Sequence, residues 1–343
     1  LVAFFNRGLG LIFGAIMARK VGEHALKNSI SINYQLVGAE GYVVLMVWHG
    51  GMSGSAPLDA ADQSKSLRAM IGNSTLNKFP DYINTNETIF SWWNLTIFAV
   101  ILIVIPTFLY LMSKRIKTKE FSLPNYKFDT DTEAVSGAEK LDHSKLLAWF
   151  FGLMALVILI IKYGEQLSQL NITLPSLNFF MFALAIILHG KFSSFLKALE
   201  EAIKGTSGIL IQFPLYFGIM GIMNHTGMVG QISDFFVSIA NETTMPIFTF
   251  FSAGLVNIFV PSGGGQWAVQ GPIVLEAALK LNVPLPKAIM ALAYGDQITN
   301  MLQPFWALPL LGITKLKAKE ILPYTLLLML VGSAIYIIGL LVF

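Results

Sequence analysis

The polar groups that could do chemistry in this chain sit at breaks in long apolar stretches. The run Pro261-Ser262-Gly263-Gly264-Gly265-Gln266 interrupts one such stretch. Three glycines behind a proline are poor at continuing a helix, so the run predicts an unwound tip between two part-length helices. Amides at the start of a half-helix carry partial positive charge and hold anions. Gly263, Gly264 and Gly265 would let a ligand approach that backbone, and Ser262 and Gln266 could add side-chain hydrogen bonds. Asn6, Gly8 and Gly10 form a similar break near the start of the chain. The competing use of such glycines is close helix crossing. A third break, Gly50-Gly51-Met52-Ser53-Gly54-Ser55, offers free carbonyls and the hydroxyls of Ser53 and Ser55. Asp296 is the lone acid of the stretch 288–314, and Gln297, Asn300 and Gln303 follow it. An acid at membrane depth is a functional candidate. These four residues are candidates for a coupling ion, Na⁺ or H⁺, and Asp296 could instead cap a half-helix behind Gly295.

The histidines divide by position. His49 adjoins the glycine break and could pass a proton. His189, before Gly190-Lys191, reads as an interfacial helix end, and His225 as a loop residue near the outer surface. Asn257 is expected to bond the opposite arm of its hairpin. Trp267 and Trp306 are expected to wall the apolar side of a pocket. With no cysteine there are no thiolate sites or disulfides, and no HExxH or carboxylate cluster points to a metal enzyme. No cofactor is expected besides the coupling ion. Ser53 or Ser55 with His49 is a conceivable nucleophile–base pair for an intramembrane enzyme, but a broken helix fixes no geometry for it.

The elements that must hold these residues are membrane helices. Of 343 residues, 55% are hydrophobic and 13% charged, against roughly 25% charged in soluble domains. So little charge could not cover a soluble globule of this size, and the mean hydropathy of +0.64 agrees. The net charge of +3 is small, and the basic residues lie between apolar spans, so nucleic acid is not an expected partner. Apolar runs recur at 41–58, 88–113, 146–161, 166–190, 205–233, 243–275, 297–314 and 321–343. Trp92–Ser113, kinked at Pro106, and Ile321–Phe343 read as plain spans. Three others are broken: Met245–Leu279 at its glycine tip, Lys287–Ile313 at Tyr294–Gln297 and again at Pro304 and Pro309, and Tyr34–Leu58 at Gly50–Gly54. Irregular backbone at membrane depth must line a cavity or pack against protein. Loops 19–27, 114–145, 191–204 and 315–319 hold 16 of the Lys and Arg residues, and the loops of the other side hold 6. That bias places the first set in the cytoplasm.

The order break, broken helix, plain span occurs twice and with opposite orientation. The fold class expected is therefore an all-α polytopic membrane protein. It is an inverted repeat with two re-entrant hairpins and two discontinuous helices, the pattern of secondary transporters. Residues 1–113 form a truncated first repeat, 114–145 a cytoplasmic linker and 146–343 the second repeat. An apolar start at Leu1 without a charged leader, and a first half lacking counterparts to 146–240, imply some three membrane segments, about 100 residues, upstream.

The stretches Pro261–Pro272, Ala293–Gln297, Met301–Pro309 and Gly51–Pro57 resemble the bacterial short-chain fatty acid transporter family, which includes acetoacetate/butyrate permeases. The resemblance runs the length of the chain. It implies uptake of short-chain monocarboxylates across the bacterial cytoplasmic membrane, and membership of the wider ion-transporter superfamily. It also implies a homodimer with a scaffold and a moving, elevator-type transport domain. Arg7 stands where the resemblance leads one to expect an aromatic residue, and His49 where it leads one to expect glycine. The alternative in transport is a C4-dicarboxylate carrier of the same superfamily, which a second cationic group near the tip would favour. Tail length is worth about 0.8 kcal/mol per CH₂, so chain-length preference is not readable.

Overall fold

The computed structural model describes residues 1–62, 67–70, 80–118, 120–123, 136–168 and 174–343. The described residues are all-helical. In chain order the helices are α1 (Val2–Phe5), α2 (Arg7–Lys27), α3 (Tyr34–Tyr42), α4 (Ser55–Ala61), α5 (Trp92–Ser113), α6 (Glu139–Asp142), α7 (Lys145–Ser168) and α8 (Leu174–His189). There follow α9 (Phe192–His225), α10 (Met228–Ser238), α11 (Met245–Phe259), α12 (Gly263–Lys280), α13 (Leu285–Thr299), α14 (Pro304–Thr314) and α15 (Ala318–Val342). By internal packing the chain forms two compact units, Leu1–Pro124 with Gly208–Phe343, and Asn125–Ser207. The first holds every candidate site residue. The expected linker 114–145 lies partly outside the described residues.

Trp92–Ser113, Lys145–Glu165 and Ala318–Val342 are long and apolar enough to cross a bilayer. Asn178–His189 and Phe192–Glu200 make a further apolar pair, bent by 118°. Their outer faces are bare of polar cover: Ile103, Leu146, Ile161 and Leu188 are largely exposed, which is cheap only against lipid. α5 runs unbroken through Pro106. α11 has 15 residues, a rise of about 22 Å, against about 30 Å for a hydrocarbon core. α14, with 11 residues, is shorter still.

Several breaks fall elsewhere than the sequence suggests. Gly263, Gly264 and Gly265 are the first turn of α12, and the unwound link is only Val260-Pro261-Ser262. Ser262 caps the helix, its hydroxyl accepting from the Gly265 amide at 3.3 Å. A capping serine stabilises a first turn that glycine propensity alone opposes. Gly8 and Gly10 likewise lie inside α2, and the interruption there is the single residue Asn6, whose side chain accepts from the Leu9 amide at 3.0 Å. The segment around Asp296 does not unwind at all. α13 runs through Tyr294–Gln297, and the break comes at Asn300–Gln303, where a 3₁₀ turn leads into the extended Gln303 and then Pro304 at the start of α14. Asp296 is therefore mid-helix and caps nothing. Gly295 serves close packing instead: a Cβ there would strike the Phe250 carbonyl of α11, and the Gly295 carbonyl lies 3.3 Å from where a Gly254 Cβ would sit. The first-half interruption is wider than Gly50–Gly54. A 3₁₀ turn over Val43–Met46 leads into irregular backbone from Val47 to Gly54.

Candidate substrate and coupling site

The site is built around the irregular segment 47–54, which is held on both sides. Gln297 of α13 accepts through Oε1 from the amides of His49 at 2.8 Å and Gly50 at 3.1 Å. Its Nε2 donates to the Tyr336 hydroxyl at 2.9 Å, and that hydroxyl donates to the Met46 carbonyl at 2.6 Å. Asn94 of α5 donates to the Gly50 carbonyl at 3.0 Å and accepts from the Tyr294 hydroxyl at 2.6 Å. On the other side the Arg7 amide donates to Ser53 Oγ at 3.0 Å, and the Met52 amide to the Phe4 carbonyl at 2.7 Å. Buried backbone must find partners, and here carboxamide and hydroxyl side chains, with the Phe4 carbonyl, supply them where no helix does.

This clamp brings His49 against Asp296. Both side chains are fully buried, and His49 Nδ1 is bonded to Asp296 Oδ2. The Ala56 amide lies 3.1 Å from His49 Nε2. An amide can only donate, so Nε2 is the bare nitrogen and Nδ1 carries the proton that points at the carboxylate. A nucleophile–base pair would need Nε2 free to take a hydroxyl proton, and that lone pair is already used. The other carboxylate oxygen, Asp296 Oδ1, has no donor among the described residues, and neither has Gln303 Oε1.

Beside the pair, His49 stacks on Trp48 with ring centroids 4.4 Å apart. The Arg7 guanidinium carbon lies 4.4 Å from the Trp48 ring and 4.3 Å from that of Trp306. Cation–π contacts of this kind hold a guanidinium without taking its N–H groups. The start of α12 closes the arrangement: a Cβ on Gly263 would come within 2.8 Å of Trp48 and 2.9 Å of the His49 ring. A Cβ on Gly264 would lie 3.8 Å from that of Ser55. The N-terminal ends of α2 and α12 thus meet at the 47–54 segment, each with amides that lack intrahelical partners.

A model of the family described as short chain fatty acid transporter matches residues 1–343. The chain belongs to the short-chain fatty acid transporter family. Among its relatives, a protein of Escherichia coli strain K12 named "Putative short-chain fatty acid transporter" is 35% identical over 356 residues, covering 100% of this chain and 78% of the relative. A protein of the same name from Haemophilus influenzae is 36% identical over 347 residues, covering 99% of this chain and 76% of the relative. No solved structure matches.

In this family member the residues expected to bind ligand part into two groups. Ser53, Ser55, Ser262, Gly264, Gly265 and Asn6 remain partly accessible around the 47–54 segment, and Gly8 is exposed. Gly10 is packed on Ala3, and Gln266 is fully buried, donating to the Ala253 carbonyl and to Gln270, both at 2.9 Å. Gln266 and Gln270, not Asn257, tie the two hairpin arms. Asn257 turns to the Asp296 carbonyl at 2.6 Å and to Asn300 Oδ1 at 2.9 Å. Gln303 returns the bond to the Asn257 carbonyl at 2.7 Å, so Asn300 and Gln303 shape the break behind Asp296. Trp267 is buried in a separate core beside Ala56 and Met245, while Trp306 faces Arg7. His189 and His225 end α8 and α9 and are exposed. Among the described residues no group of three or more His, Asp or Glu could hold a metal ion. Sequence reasoning singles out Arg7 but misses Trp48 and the buried tyrosines; aromatic side chains with a polar atom inside apolar segments are the available signal.

Proposed function

We propose that this protein is a secondary transporter that carries short-chain fatty acid anions of the acetoacetate/butyrate type across the bacterial cytoplasmic membrane. Transport is coupled to H⁺ or Na⁺ and proceeds by an elevator-type motion of a homodimer. The observation that carries the reading is the buried His49–Asp296 pair set beside Arg7 and the glycine-rich start of α12, in a chain whose family is named for this transport. A carboxylate substrate meets cationic and amide donors on one side, and a coupling cation meets Asp296 on the other. The unsatisfied oxygen Asp296 Oδ1 supports a cation there, because buried acceptors without donors are rare.

The second reading is a C4-dicarboxylate carrier, favoured by one observation: Arg7 supplies a cationic group in addition to the tip amides. Radiolabelled butyrate uptake into proteoliposomes separates the two. Uptake driven by an imposed pH or Na⁺ gradient, and not inhibited by excess succinate, is the expected result. Gradient-driven succinate uptake without butyrate uptake would replace the first reading by the second.

A further inference from the structure

The geometry points to Arg7 as the residue that binds the substrate carboxylate, with its guanidinium held against the rings of Trp48 and Trp306. This inference rests on the transport reading above. Arg7 opens α2, where its backbone is fixed twice: Asn6 caps the helix, and the Arg7 amide bonds Ser53 Oγ at 3.0 Å. The guanidinium carbon lies over the Trp48 ring, 4.4 Å from its centroid, and over the Trp306 ring, 4.3 Å from its centroid. The edge of the guanidinium fork carries the five N–H donors, and ring contacts of this kind do not take them. Among the described residues no carboxylate or carbonyl accepts from that edge; the side-chain interactions of Arg7 are the two ring contacts and a longer-range attraction to Asp296. Arginines away from water ordinarily spend their donors on a carboxylate or a carbonyl. Asp296, the acid within electrostatic reach, is instead bonded to His49.

An oriented guanidinium with unspent donors is the partner that a planar carboxylate takes through two parallel bonds. The indoles then have a second use. They hold the fork in place, so little freedom is lost on binding, and they offer apolar surface beside it suited to a short acyl chain. The chemical class selected is a monocarboxylate with a small apolar tail. A neutral amide of the same shape would lack the charge that the fork needs.

The test is the concentration dependence of butyrate uptake by the wild-type protein and two variants in proteoliposomes. Arg7→Met keeps an unbranched chain between the indoles and removes the charge. Arg7→Lys keeps the charge and removes the fork. Bonds to a charged group are worth enough that losing them corresponds to a KM about 10- to 100-fold higher. Arg7→Met is expected in that range and Arg7→Lys between it and wild type, with the maximal rate moving far less. KM within about twofold of wild type in both variants overturns the assignment. So does a fall in maximal rate and stability at constant KM, which is what a purely structural clamp would show. Should Arg7→Met fail to reach the membrane, Arg7→Lys decides by the same criterion. Wild-type protein without butyrate uptake would overturn the transport reading, and this inference with it.

Discussion

Removing His49 should cost far more stability than neutralising its partner. Asp296 is fully buried, and among the described residues its carboxylate has one donor, His49 Nδ1. His49→Ala leaves a buried charge without compensation, and breaking a buried pair in this way costs about 3–5 kcal/mol. Asp296→Asn acts differently. The Asn oxygen still accepts from Nδ1–H, so a charge-assisted bond becomes a neutral one, a loss of about 1 kcal/mol. That loss is offset because no charge remains to be buried. The double variant removes the charge together with its donor and should be more stable than His49→Ala alone. The cycle therefore carries a coupling of about 2 kcal/mol. The assay is unfolding by denaturant in mixed micelles, followed by tryptophan fluorescence, at pH 8, where proton uptake is least able to relieve the charge. Equal destabilisation by His49→Ala and Asp296→Asn, with additive effects to within about 0.5 kcal/mol, would refute the buried-pair argument.

Three further outcomes are expected. Asp296→Asn should lose gradient-driven accumulation of butyrate while keeping exchange of internal for external substrate; normal accumulation with unchanged ion dependence would remove Asp296 from the coupling site. Gly264→Val should abolish uptake but insert normally, because a Cβ at that position meets Ser55 only at 3.8 Å; wild-type transport would show that the start of α12 does not meet the ligand. Gly295→Ala should destabilise by about 1–3 kcal/mol through overpacking, since the added Cβ lies 2.9 Å from that of Ala253 and strikes the Phe250 carbonyl; a neutral effect in the same unfolding assay would mean that α11 and α13 do not pack this closely.

How much of the site could be read in advance differs from residue to residue. Ser262 and Asn6 were visible as break residues because caps are local: a side chain and an amide three residues on are enough to form them. Asp296 stood out because an acid is costly at membrane depth. The roles of Gln266 and Gln303 were not visible. Each is a buried glutamine that donates to a backbone carbonyl of another helix, α11 in both cases, and amide side chains carry no sign of which neighbour they will meet. Gly295 was misleading for a definite reason. Glycine signals both a free backbone and a missing Cβ, and only the second applies where the Phe250 carbonyl of α11 lies against it.

Composition and hydropathy by themselves determined that this is a helical membrane protein, because a bilayer demands long apolar segments whose backbone bonds close within each helix. The spans Trp92–Ser113 and Ile321–Phe343 were equally plain, the second forming Ala318–Val342 in the structure, since length and apolarity are properties of one contiguous segment. Tertiary structure alone decided that His49 meets Asp296 across 247 positions of chain, and that Trp48 and Trp306 both meet the Arg7 guanidinium. Those contacts are set by the crossing of helices and by the hydrogen bonds that pin the 47–54 segment. Neither leaves a local trace in the sequence, because each depends on which surface happens to lie opposite.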